Sequence, residues 1–567
     1  MKNLIFVWFC LILVIPCQGR TITVDDDGPA DFNNIQAGID DANDGDIVEV
    51  QPGTYTGTGN RDINFLGKAI TVRSINPDEP SVVESTIIDS RVTGPRVYRA
   101  FIFLSGEDAN SVLSGFTIIG YHVNPGGAIY CRQSGPTIKN CIITGHSTLF
   151  GGGIYCDYSS PKLTNCIFSG NQANRGGAML NESSNPNLTK CTFIRNSAEE
   201  WGGGMYNRFS NPTLTNCTFI GNSAIFSAGG MYNYKSSPIL TNCTFIDNHA
   251  EFVGAMMSRS SNPTLNNCTL SENSAEFWSG GMGNYESRAT LNNCILSANT
   301  SSYMAGGIYN LKSNLTLTNC TFTGNSAEHG SGIEAYGSNV TLANSILWDN
   351  AGKQGHEIYL GIAIDPCTVS YISTAAVRYT NQEDGPATVY VEPGCTLNWA
   401  LGNIDLDPCF VEPGYWDVNN VWVEGDYHLL DGSPCIDAGD PNYVAGPNET
   451  DLDGNPRVVD GDNDGNSVVD MGAYERIPEL AELILDLADD VMVLNLHEGI
   501  TNSLEAKLNA ALRALEDENE NNDAAAVNTL EAFINAVEAQ RGKKIPEAEA
   551  DALIAAAQEI IELLSDG

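Results

Sequence analysis

The chain has 567 residues, with 28 Lys plus Arg against 70 Asp plus Glu and a net charge of −42. That field repels phosphate backbones and argues against a nucleic-acid partner, while 42% hydrophobic residues is too many for a disordered acidic chain. With 56 Gly, abundant Asn and only 17% charged residues, the composition favours turns and strands over helical surfaces.

Residues 1–19 read as a secretory signal peptide. Lys2 supplies the positive start, and Leu4 to Ile15 is an apolar run shorter than the ~20 residues of a membrane span. Cleavage after Cys17-Gln18-Gly19 leaves Arg20 first, and a lipoprotein at Cys17 is the weaker alternative because Pro16 precedes it. No later stretch is apolar enough to span a bilayer. Asp31 to Ala42 then predicts an amphipathic helix with Phe32, Ile35, Ile39 and Ala42 on one side. Gly45 to Tyr55, Gly67 to Val72 and Ser111 to Ile118 have strand character.

From about residue 120 to 350 the text repeats. Cysteines recur at 141, 166, 191, 217, 243, 268, 294 and 320, at intervals of 25 or 26. Asn171, Asn196, Asn222, Asn248, Asn273, Asn299 and Asn325 form a column five residues after the cysteines from Cys166 on. Asn165, Asn216, Asn242, Asn267, Asn293 and Asn319 form another, each just before a Cys. Short alternating stretches such as Leu214 to Phe219 predict a solenoid of strands, because one repeat alone cannot bury its apolar face. Asn tolerates the left-handed bend between strands, and stacked amides can bond along the column. In register, Ile129, Ile154, Met179, Met205, Met231, Met256, Met282, Ile308 and Ile333 make one inner column and the cysteines a second. Cβ atoms ~4.8 Å apart exceed the ~3.5–4.5 Å of a disulfide, so buried free thiols are expected.

The Gly-Gly-Ala-Ile motif at 126–129 and the Phe-x-x-Asn motifs from Phe193, Phe219 and Phe245 resemble repeats of polymorphic outer-membrane adhesins. The whole pattern over about 20–475 resembles the right-handed parallel β-helix of the pectin-lyase superfamily. The resemblance implies a mainly β fold: an N-terminal helical cap and β-helix over 20–350, and an irregular end over 351–475. It implies a polysaccharide ligand or a polysaccharide-active enzyme (lyase, glycoside hydrolase or epimerase). Asp431 to Asp440 and Asp470 to Glu475 are similar to the end region of secreted bacterial β-helix proteins.

Candidate sites emerge from columns. Phe150, Trp201, Phe226, Phe252, Phe277 and Tyr303, continued by His329, would form an aromatic platform for sugar rings. Tyr130, Tyr155, Tyr206, Tyr232 and Tyr309 alternate with the inner column and should point outward. The bland reading is that the first set covers a corner and the second is strand surface. Glu199, Glu251, Glu276 and Glu328 form a carboxylate column, more simply a solvated edge. Arg132, Arg208 and Arg259 share a repeat position on non-adjacent coils, and the Asp-Asp and His-Gly motifs of polygalacturonases are missing from the repeats. The predicted catalytic set is therefore empty, and an enzyme would need carboxylates with Arg, Lys or His in one groove. Asp460, Asp462, Asp464, Asn466 and Asp470 resemble a structural Ca²⁺ loop, with Gly465 at its turn and no bidentate Glu at position twelve. Asp451 to Gly454 offers a related turn. Cys367, Cys395, Cys409 and Cys435 stand outside the ladder and are open to pairing.

After Pro478 the text turns to Ala, Leu and Glu. Leu480 to Leu494, Leu504 to Leu515, Val527 to Val537 and Leu553 to Leu564 predict a four-helix bundle over 478–567, with Gly542 ending one helix and Pro546 starting the next. Ala532 to Ile545 is similar to a helical module at the C-terminus of secreted bacterial proteins. From Glu479 onward 20 acidic residues face 5 basic ones, so this tail carries −15. The expected protein is a secreted or cell-surface β-helix that binds extracellular polysaccharide or acts as an adhesin.

Overall fold

The computed structural model describes residues 19–91, 98–120, 126–364, 370–419, 421–447, 449–515 and 522–566. The signal-peptide reading, apart from Gly19, lies outside them, as does Cys367. The body is a parallel β-solenoid of about 14 turns. One coil shows the plan: strands Met205–Arg208, Thr213–Thr215, Thr218–Ile220 and Ser223–Ala224, then a loop back to the next coil. Each strand pairs in parallel, in register, with the next coil: Met205 with Met231, Leu214 with Leu240, Phe219 with Phe245 and Ala224 with Ala250.

Register fixes the core. The Ile/Met column and the Cys column are buried, and the thiols are free. Cys217, for instance, sits 3.5 Å from the Thr215 carbonyl. The rings of Phe168, Phe193, Phe219 and Phe245 stack inside at 4.5–4.9 Å, their planes within 8° of one another.

The two Asn columns do different jobs. Asn165, Asn216, Asn242, Asn267, Asn293 and Asn319 take the left-handed conformation at φ 51–53° and bend the chain. The later column turns inward as a buried ladder. Asn196 Nδ2 donates to Asn222 Oδ1 (2.9 Å) and to Phe168 O (2.9 Å), and its backbone N–H reaches the same Oδ1 (3.0 Å). The pattern runs from Asn171 to Asn350, which donates to the buried Glu357 (2.7 Å). Every amide thus replaces a backbone bond lost at the corner, which a buried polar group requires. A second ladder, unanticipated, runs through Ser134, Ser159, Ser184, Ser210, Ser236, Ser261, Ser287, Ser313, Ser338 and Ser373, each N–H bonding the next hydroxyl at 2.8–3.2 Å.

Helix α1 spans Ile35–Asp41, shorter than predicted. Asn34 Oδ1 caps it through the Ala37 N–H, so the chain before it is extended, and Phe32 joins the core through a bridge to Val24. A short helix α2, Pro80–Ser85, was not predicted.

The coils run past residue 350. Ile358–Gly361, Thr374–Gln382, Val389–Val391 and Thr396–Trp399 continue the ladders. The next segment is a strap rather than an end: about 405–476 turns back along the side of the rod. Asn319 Nδ2 bonds the Tyr443 hydroxyl, Asn293 Nδ2 the Thr450 carbonyl and Asn267 Nδ2 the Asp451 carbonyl. Phe410, Tyr427, Leu429, Ile436 and Met471 pack over Ile295 and Ile346. Arg457, fully buried, lies 3.3 Å from Glu475 and bonds the Gly472 carbonyl. Cys395, Cys409 and Cys435, which the sequence left open to pairing, carry free thiols.

Four helices close the chain: α3 Leu480–Val493, α4 Glu498–Leu515, α5 Asn522–Gln540 and α6 Glu547–Asp566. Helix α3 packs on α4 and α6, and α5 packs on both as well. A capping box between Glu479 and Glu482 starts α3. The core holds Leu504, Leu508, Leu530, Val537, Leu553 and Ile560 as the spacing implied, and also Ala526 and Phe533. Among the described residues no helix is long and apolar enough to cross a membrane.

Candidate functional site

The aromatic column divides in two. Counted back from the inner Ile/Met residue, Phe150, Trp201, Phe252 and Trp278 share one position, and Phe226, Phe277 and Tyr303 stand one residue earlier. Glu251-Phe-Val-Gly-Ala is one residue shorter than Glu276-Phe-Trp-Ser-Gly-Gly, so counting from the glycines misaligns them. The first set folds down over the sheet and is half-buried. The second is exposed, at 47% for Phe226, 42% for Phe277 and 46% for Tyr303.

The tyrosine column does point away from the core, yet it is not open surface. Tyr206, Tyr232 and Tyr309 are only 4–6% exposed because the folded-down rings cover them. Trp201 lies 6.0 Å from Tyr206 and 5.6 Å from Tyr232, and Trp278 lies 5.6 Å from Tyr309. Burial pushes the Tyr206 hydroxyl up to about 12. A second apolar layer therefore sits outside the solenoid.

Between the loops and this layer runs a cleft of about 460 Å³. Trp201, Phe226, Phe252 and Trp278 supply its loop side, and Tyr232, Met257, Arg259 and Tyr285 its sheet side. Of the predicted residues, Trp201, Phe226 and Phe252 line it; Phe150, Phe277 and Tyr303 do not. Trp278, Met257 and Tyr285 were missed. Aligning each loop on its inner Met would have found Trp278. Arg259 lies 5.3 Å from the Tyr285 ring, whereas Arg132 and Arg208 pair with Asp157 (3.4 Å) and Glu182 (2.9 Å). The arrangement offers flat apolar surfaces and few donors, which suits the C–H faces of sugar rings.

On the far side of the same loops lies a groove of about 390 Å³ lined by Glu199, Glu251, Glu276, His249, Ser197 and Ser223. His249 Nδ1 is 3.1 Å from the Ser274 hydroxyl. Glu328 is apart from it, paired with Lys353 at 3.1 Å.

The acidic loop is also rearranged. Carboxylate oxygens of Asp437, Asp460 and Asp462 lie within 4.8 Å of one another. Asp437, outside the predicted motif, accepts the N–H groups of Gly461 (2.8 Å) and Val468 (2.9 Å). Asp464 bonds Asn466 within the loop instead. Asp470 is turned inward and buried: its oxygens accept the N–H groups of Asp437 (2.7 Å) and Arg476 (2.6 Å), and burial pushes it up to about 7. Three carboxylates with no nitrogen or sulfur donor fit a hard divalent cation such as Ca²⁺. In the Asp451 to Gly454 turn, buried Asp451 accepts the N–H groups of Asp453 (2.9 Å) and Asn455 (2.8 Å).

Comparison with known proteins agrees with the fold. Residues 78–245 and 200–310 match the family described as the right handed beta helix region, and residues 486–562 match the FIMAH domain. No curated protein matches. A solved structure titled "a new PL6 alginate lyase complex with trisaccharide" is similar at 12% sequence identity and a TM-score of 0.39, covering 65% of this chain and 82% of that one. The chain is a parallel β-helix, similar over residues 78–310 to the right handed beta helix region, with a C-terminal helical part.

Proposed function

We propose that this is a secreted or cell-surface protein that holds an extracellular polysaccharide, free or on another cell, in the aromatic cleft. One observation carries the reading: half-exposed Trp201, Phe252 and Trp278 face a cleft with a single charged residue, Arg259. Side chains this apolar are costly to leave at a surface without a ligand. A glycan array run with the wild type and with Trp201→Ala/Phe226→Ala tests it. The double variant loses at least tenfold in signal; unchanged binding rejects the platform. Export is supported by Lys2 and the Leu4–Ile15 run, and an N-terminus at Arg20 in the mature protein is the check.

Ca²⁺ belongs to this reading as a structural ion at Asp437, Asp460 and Asp462, near the join between strap and bundle. Calorimetric titration shows uptake at millimolar Ca²⁺ that Asp460→Asn weakens; a flat titration removes the ion. An enzymatic reading rests on a separate observation, the convergence of Glu199, Glu251, Glu276 and His249 in one groove. Release of unsaturated or reducing ends from polysaccharide, abolished by Glu251→Gln, is its signature.

A further inference from the structure

We propose that the cleft is built for a neutral, β-linked glycan whose ring substituents are all equatorial, the gluco configuration of cellulose-type and chitin-type chains. The proposal rests on the glycan-binding reading above and names its ligand class.

The shape of the lining selects the configuration. Rings stand on two sides, Trp201, Phe252 and Trp278 from the loops and Tyr285 from the sheet. A pyranose held in that corner lays C–H groups against both walls. Only with every substituent equatorial are both faces of the sugar free of hydroxyls. An axial hydroxyl, as in the manno or galacto configuration, would be pressed against a ring and left without a partner. With equatorial substituents the hydroxyls project from the rim of the sugar, toward water, the Ser227 hydroxyl and Arg259.

The direction of the row selects the linkage. Trp201, Phe226, Phe252 and Trp278 stand on four successive coils, at the ~4.8 Å spacing of paired strands. A ligand touching all four runs straight along the rod, at close to one sugar per coil. Equatorial β-1,4 links give such straight, flat ribbons, whereas axial links curve away from a linear row of rings.

Charge selects a neutral chain. Arg259 is the one cation of the lining, and its guanidinium lies 6.0 and 5.3 Å from the Tyr234 and Tyr285 rings. Across the same loops stand Glu199, Glu251 and Glu276, on a chain of net charge −42. A polyanionic chain would bring one carboxylate per sugar into that field with one cation to meet it.

The test is calorimetric titration of the full-length protein with cellohexaose, chitohexaose, mannohexaose and a hexameric oligogalacturonate, repeated with Trp278→Ala and Phe226→Ala. Phe226 is 47% exposed and its truncation leaves the core untouched. The expected result is that a gluco-configured hexamer binds at least tenfold tighter than mannohexaose or the uronate, with both variants losing at least tenfold, Phe226→Ala at unchanged melting temperature. Equal or tighter binding of mannohexaose or the uronate overturns the ligand class and leaves the glycan reading standing. Binding of the gluco hexamer that neither variant weakens overturns the placement. Failure of any hexamer to bind the wild type overturns both readings.

Discussion

The regular coils and the strap bury polar groups by opposite means. In the coils the cost is spread over copies of one neutral bond: each Asn amide from 171 to 350 serves its neighbour, and no single link is special. In the strap it is concentrated in one ionic knot. Arg457 faces Glu475 beside Asp470, all three buried. Repetition lets the rod satisfy buried groups without charge. A segment that occurs once has no neighbour copy to bond, and it uses charges whose desolvation is repaid only while every partner is present.

Removing a partner from the knot is the largest expected break. Above about pH 9, where both carboxyls are ionised, Arg457→Met leaves Glu475 and Asp470 without their cation and costs about 3–5 kcal/mol. Amide exchange across 405–476 rises sharply while exchange in coils 142–265 stays as it was. Equal acceleration of both regions would mean that strap and rod form one unit. A smaller version of the same loss needs no mutation. Burial raises Asp470 to about 7 and Glu475 to about 9, with Arg457 opposing the shift. Folded values above the unfolded ones mean that their stabilising share is complete below about pH 4. It is lost as pH rises through about 7 and then about 9. Limited proteolysis of the strap therefore speeds up between pH 5 and 9.5 while the coils stay protected. The smallest break is in the ladder. Asn222→Ala orphans the Asn196 backbone N–H and removes one bond each from the Asn196 amide and the Phe193 carbonyl. That costs about 2–3 kcal/mol, and the exchange it provokes is confined to the neighbouring coils.

Much of the rod was legible because its signal is repeated. Nine inner Ile/Met positions, eight Cys and seven Asn in step leave one register, and the structure keeps it. The left-handed bends at Asn216 and its counterparts were readable too. Phe209, Lys235 and Glu286 bend the same way at φ 51–52° without any residue preference to announce it. The cleft was half legible. Trp201, Phe226 and Phe252 were visible as a column, but a one-residue difference in loop length decides which rings fold down, and that hid Trp278. Asp437 was not legible as a partner of Asp460, because 23 residues separate them and only the fold of the strap closes the gap. Asp470 was misread for the same reason: its spacing fits a ligand loop, and its burial comes from contacts far along the chain.

The strap also divides the rod by what its copy number can do. Asn267, Asn293, Asn319 and Asn344 are each tied to a particular strap residue. A coil inserted among them would pull those ties out of step by one sheet spacing. Between about 129 and 265, among the described residues, no strap hydrogen bond marks one coil from the next, and a duplicated unit of 25 or 26 residues would extend both ladders and the inner columns without disturbing either end. Related chains of different length should therefore differ in this stretch first, growing or shrinking by whole coils.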